Sequence, residues 1–154
     1  MHGIKLSRVL LGGLLAGVVI NVIEGVLNAV VLADQWSAAM ARLGLSGEPN
    51  AIQIAGFNLA GFVTGILAVW LYAAIRPRYG IGPRTAALAG FAVWLLAYVL
   101  PMSAPALLNI LPKRMIALGL LVGLPEAILA TIVGSWLYRE ASESPQTRAA
   151  GAGD

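Results

Sequence analysis

Five polar residues lie inside long apolar runs, and their types and spacing set the chemistry open to this chain. Residues 12–32 read GGLLAGVVINVIEGVLNAVVL, with Asn21, Glu24 and Asn28 three and four positions apart. That spacing places all three on one helix face. Asn58 and Glu126 interrupt two later apolar runs. A carboxylate inside a membrane-length apolar helix is energetically expensive, and its default reading is a functional site. Two carboxylates and three carboxamides make an oxygen-rich donor set. Such a set suits a proton, a hard cation or an amine.

Pro125 stands directly before Glu126. A proline within a helix removes one hydrogen bond and frees the carbonyl four residues earlier, here Leu121. A kink is therefore expected at Pro125. A freed carbonyl beside a carboxylate is a pairing that holds a cation or a proton-linked network. The alternative is a structural clamp, with Glu126 protonated and bonded to an asparagine.

The same faces carry small residues at four-residue spacing: Gly13 and Gly17, Gly61 and Gly65, Gly119 and Gly123. Apolar helices gain no hydrophobic sorting in lipid, so close approach through glycine holds them together. These stripes are expected to pack a bundle, with Gly12 off the stripe. The polar residues continue the stripes, which predicts a shared internal pocket. A rise of about 1.5 Å per residue puts Glu24 roughly 24 Å along its helix from Arg8, Glu126 roughly 18 Å from Arg114 and Asn58 roughly 12 Å from Asn50. All three depths fall in the central-to-outer zone, away from the terminal side.

The elements that must hold these residues follow from the apolar runs. The 154 residues are 59% hydrophobic and 11% charged, against about 25% charged in a soluble domain. Mean hydropathy is +0.84. These values exclude a water-soluble globule and predict one all-α domain, a four-transmembrane-helix bundle over residues 1–139. The spans are expected at about 6–32, 54–75, 85–100 and 115–138, each near the ~20 residues a crossing requires. The N-terminal run has the basic start and apolar core of a signal peptide. It continues past the usual h-region of about 7–15 residues, so it reads as a retained first span.

Between the first two spans, Asp34 reads as the N-cap of a short interfacial helix, residues 35–43, with Trp36, Met40 and Leu43 on one side and Gly44 as the stop. Residues 46–53 read as a polar loop, and 76–84 (RPRYGIGPR) as a tight basic turn. Residues 101–114, with Pro101, Pro105 and Pro112, fit a loop, a short interfacial helix or a re-entrant dip. Residues 140–154 are polar and rich in small residues, which predicts a disordered tail. Trp36, Trp70, Tyr72, Tyr79, Trp136 and Tyr138 read as interfacial belts. Trp94 lies deeper and reads as core.

Absences bound the function further. There is no Cys, and His2 is the only His, so disulfides, thiolate sites, bis-His haem and His-based zinc are excluded within one chain. Ser7, Ser103 and Ser135 have no His or Lys at motif spacing, so no enzyme activity is expected. Gly80-Ile81-Gly82 follows no strand and makes no phosphate loop. No cofactor is expected. The net charge of +3 comes from membrane-border Lys and Arg, so no nucleic-acid partner is expected either.

Lys5, Arg8, Arg76, Arg78, Arg84, Arg139 and Arg148 fall on one side of the predicted bundle, and Arg42, Lys113 and Arg114 on the other. Basic loops stay cytoplasmic. This predicts a multi-pass protein of the bacterial inner membrane with both termini in the cytoplasm.

Trp36-Ser37-Ala38-Ala39-Met40-Ala41-Arg42-Leu43-Gly44, Trp94 to Pro101, and Gly134-Ser135-Trp136 together carry a resemblance. On these residues the chain resembles the bacterial four-helix integral membrane proteins grouped as a domain of unknown function. The resemblance covers most of the chain in helix number and order, and it implies the fold without an activity. The chain departs from the pattern at Leu27-Asn28, where aromatics are expected, and at Pro125-Glu126, where a polar aromatic or His is expected. No ligand type therefore carries over. Two readings remain. One is a transporter-like component binding a small ligand, cation or proton through Asn21, Glu24, Asn28, Asn58 and Glu126. The other is a structural or accessory subunit whose glycine stripes pack a homo-oligomer or a larger membrane complex. Both have the lipid bilayer as partner.

Overall fold

A computed structural model describes residues 4–139; the expected tail at 140–154 lies outside the described residues. The chain is an all-α bundle of four helical spans, Leu6–Val31, Ala51–Tyr79, Pro83–Leu107 and Lys113–Tyr138, each long and apolar enough to cross a membrane. We number the helices α1 (Leu6–Val26), α2 (Ala33–Arg42), α3 (Ala51–Tyr79), α4 (Pro83–Trp94), α5 (Leu100–Leu107) and α6 (Lys113–Arg139). Two π-helical turns, Leu27–Val31 and Leu95–Val99, extend α1 and join α4 to α5.

The boundaries differ from the sequence expectation for local reasons. Residues 50–53 are no loop. Asn50 accepts from the Gln53 N–H at 3.0 Å, and Gln53 accepts from the Asn50 N–H at 2.9 Å, a reciprocal capping box that starts α3 early. At its other end α3 runs through Pro77 and stops at Gly80, whose φ of 86° few other residues tolerate. The basic turn is correspondingly shorter than 76–84. The third span does not stop at Pro101. The Leu100 N–H reaches back five residues to the Leu95 carbonyl, and this wide turn leaves Pro101 in the first turn of α5, where its missing N–H is not needed. Residues 101–107 are therefore a continuation of the span. Asp34 lies inside the first turn of α2 and not at its cap, which Leu32 occupies.

Glycine decides which helices touch. α1 packs between α3 and α6, and α4 packs against both α3 and α6. A Cβ on Gly13 would lie 2.5 Å from the Ile66 Cα, and one on Gly17 2.8 Å from the Phe62 Cα. From α3, a Cβ on Gly65 would lie 2.5 Å from the Gly13 carbonyl oxygen. Gly12, expected off the stripe, is the contact with α6: a Cβ on Gly134 would lie 2.6 Å from the Gly12 carbonyl oxygen. α1 thus uses two adjacent glycine faces, one for each neighbour. Gly90 does the same for α4 against α6, at 2.8 Å from the Ile128 Cα. Gly119 was expected to pack and does not; a Cβ there would meet nothing within 4 Å.

The terminal side of the bundle is tightly closed. Ala16, Ile20, Val69 and Ala130 form one buried cluster, and Tyr72, Ala86 and Ala89 another. Tyr72, expected at an interface, is fully buried and meets Tyr138 edge-on at 6.2 Å, while the Arg76 guanidinium lies 5.3 Å over the Tyr138 ring. The opposite end is splayed. Every residue from 51 to 60 in α3 is exposed within the protomer. There a smaller apolar cluster of Leu27, Leu32 and Met115, with Trp36 and Leu111 against it, joins α1 to α6.

Candidate functional site

The site lies where the closed half gives way to the splayed half. Glu126, on α6, is 2% exposed. Its Oε1 accepts a hydrogen bond of 2.8 Å from the Tyr98 hydroxyl, while its Oε2 is buried with no partner. Glu24, on α1, is half-buried and close enough for its charge to act on Glu126. Asn28 Nδ2 donates to Glu24 Oε2 and, at 2.9 Å, to the Glu24 backbone carbonyl. Asn28 Oδ1 in turn accepts 2.8 Å from the indole N–H of Trp36. The result is two hydrogen-bonded groups, Trp36–Asn28–Glu24 on α2 and the first span and Tyr98–Glu126 on the third span and α6, related by the charge of Glu24 acting on Glu126.

Both donors to the acid pair come from π-helical turns. Asn28 belongs to Leu27–Val31 and Tyr98 to Leu95–Val99. Single π turns inside α-helices recur at functional sites, because the extra residue re-aims side chains. In the third span the cause is visible: Pro101 cannot donate to Ala97, and the wide turn before it absorbs the mismatch.

Gly123 seats the Tyr98 ring. A Cβ on Gly123 would lie 2.6 Å from Tyr98 Cδ1. Without it the ring lies on the α6 backbone and its hydroxyl reaches Glu126, almost one turn further along. Gly61 plays the matching part for Asn21. A Cβ there would strike the Asn21 carboxamide, which instead donates 3.1 Å to the Asn58 backbone carbonyl.

Of the five predicted site residues, the structure hydrogen-bonds Asn28 to Glu24, while Glu126 takes Tyr98 as its donor. Asn21 and Asn58 are a separate α1–α3 clamp. Asn58 is exposed, not interior, and its side chain donates 2.8 Å to the Ile54 carbonyl of its own helix. Asn21 points to α3 because residues 21 and 24 are separated by about 60° on the helix wheel. The expected partnership of the Leu121 carbonyl with Glu126 is not seen. Leu121 is 71% exposed, on the outer surface of the bundle. It is the neighbouring Leu120 carbonyl that receives a donor, the Trp94 indole N–H at 3.0 Å. Helix α6 continues through Pro125 to Arg139.

Sequence reasoning missed Trp36 and Tyr98 as site residues. Trp36 read as a belt aromatic, and Tyr98 was given no role. One signal was present: Tyr98 is a hydroxyl-bearing residue in mid-span, three residues before Pro101.

What can this arrangement do chemically? Asn28 and Tyr98 occupy one oxygen of each carboxyl group. Glu126 Oε2 is left inside the bundle without a donor. A buried bare acceptor is unfavourable unless a proton or a cation meets it. The chain matches no family model, no curated protein and no solved structure.

Proposed function

We propose that this membrane protein binds a proton or a small cation at Glu24 and Glu126, as a transporter-like component with both termini in the cytoplasm. The observation that carries the reading is the orphaned Oε2 of Glu126, on a residue 2% exposed and subject to the charge of a second carboxylate, Glu24. Such an oxygen has capacity for one more partner. An oxygen-only environment suits a proton, a hard cation or an ammonium group. Glu24 is half-buried beside the splayed outer half, the side from which a partner would enter under this reading.

The second reading, a structural or accessory subunit, draws support from the Asn21–Asn58 clamp. Five of its six stripe glycines, Gly13, Gly17, Gly61, Gly65 and Gly123, are used inside one protomer, which leaves Gly119 as the stripe glycine open to a second copy. The test is proton and monovalent-cation uptake by the purified protein in nanodiscs, for wild type, Glu24→Gln and Glu126→Gln. Both variants keep size and hydrogen-bonding capacity. Loss of uptake with thermal stability retained supports the site. Wild-type protein that takes up neither a proton nor Na+, K+ or methylammonium leaves the structural reading.

A further inference from the structure

The hydrogen bonding at Glu24 extends beyond Asn28. Asn28 is a carboxamide with one acceptor and one two-hydrogen donor. Its Oδ1 is taken by the Trp36 indole, which can only donate. With the Glu24 backbone carbonyl also accepting from Nδ2, the amide is held in one orientation from both ends. It presents Nδ2 to Glu24 Oε2, which must accept. Trp36 sits on α2, a short helix outside the spans, and its ring also packs against the Leu27, Leu32 and Met115 cluster at the splayed end.

Resting on the proposed proton or cation site, we infer that Trp36 is its positioning residue: through the Asn28 amide, the indole N–H sets which oxygen of Glu24 remains to take the ligand. With Oε2 held as an acceptor, Glu24 Oε1 is the oxygen left to face the ligand, as Oε2 is on Glu126. Without the indole, only the Nδ2 bond to the Glu24 backbone carbonyl opposes a turn of the amide; a turned amide offers Oδ1, an acceptor that holds the Glu24 side chain only when that side chain carries a proton. The titratable groups on which the Glu24 charge acts are Glu126 from α6 and Tyr98 from the third span; α2 contributes the neutral indole. Docking of α2 is thereby coupled to the state of a carboxyl group inside the membrane.

Trp36→Phe removes the N–H and keeps an aromatic ring in the apolar cluster. Proton binding is read from the carboxyl C=O stretch of Glu24 in infrared difference spectra, assigned with Glu24→Gln, on the full chain in nanodiscs. Trp36→Phe should favour the protonated form and tighten proton binding about threefold or more, as expected for losing control of one hydrogen bond. In an Asn28→Ala background the same substitution should have no further effect, because Trp36 acts only through Asn28. Equal shifts in both backgrounds, or no shift in the wild-type background, overturn the inference. A Glu24 signal that titrates in wild type while Trp36→Phe is silent leaves the site standing and removes Trp36 from it. No titrating carboxyl signal in wild type, together with no cation uptake, overturns the site and the inference with it.

Discussion

The ring of Tyr98 lies against Gly123, and this contact lets its hydroxyl reach Glu126 at 2.8 Å. A glycine on one helix and a tyrosine on another thus supply the only hydrogen bond recorded to the Glu126 side chain among the described residues. The same device, Gly61 beneath Asn21, makes the clamp to Asn58. Glycine here makes room for a polar side chain as well as for a backbone.

Tyr98→Phe should destabilise the bundle by about 1–3 kcal/mol, the usual cost of leaving a buried acceptor without its donor. In a Glu126→Leu background, which removes the acceptor, that loss should largely disappear. Thermal or denaturant unfolding of the two single variants and the double variant in one detergent measures the coupling. An additive pair would show that the 2.8 Å contact carries no energy.

Gly12→Leu should be among the most damaging glycine substitutions and Gly119→Leu among the mildest. Gly12 meets the Gly134 backbone, whereas a Cβ on Gly119 meets open space. Overpacking typically costs about 1–3 kcal/mol, and a backbone-to-backbone contact leaves no flexible side chain to yield. Unfolding temperatures in detergent check the order; similar values for both would show that α1 and α6 do not meet as described.

Asn21→Ala and Asn28→Ala should separate the clamp from the site. Asn21→Ala removes the bond to the Asn58 carbonyl and should lower stability by about 1 kcal/mol while leaving proton or cation uptake intact. Asn28→Ala removes the donor to Glu24 and should change uptake. Parallel uptake and unfolding measurements decide it, and an uptake defect in Asn21→Ala would join the two asparagines in one site after all.

A reporter fused after Arg139 should score as cytoplasmic, and one inserted at Gly47 should score on the opposite side. The expectation rests on seven basic residues on the terminal side against three on the other. A cytoplasmic signal at Gly47 would reverse the orientation.

The helix number and the membrane character were legible in the sequence. Four apolar blocks separated by short polar breaks leave little alternative, because backbone polar groups in lipid are satisfied within a helix. The capping box at Asn50 and Gln53 was also written locally, in residues three apart, although the segment read as a loop. Glu24, Asn28 and Glu126 stood out by the same logic, since a polar residue in an apolar run needs a partner.

Which partner each one found was decided only by the tertiary structure. Asn21 and Asn28 lie on nearly the same face of one helix, yet Asn21 meets α3 and Asn28 turns to Glu24 and Trp36. Small rotations of a helix at a crossing, and an extra residue in a π turn, redirect a side chain without leaving a mark in periodicity. The role of each glycine was hidden for the same reason. A four-residue repeat marks a face that can be approached closely, but Gly12, Gly119 and Gly123 meet a backbone, open space and an aromatic ring respectively. What approaches a glycine is set by a different segment of chain, far away in sequence, and only packing brings the two together.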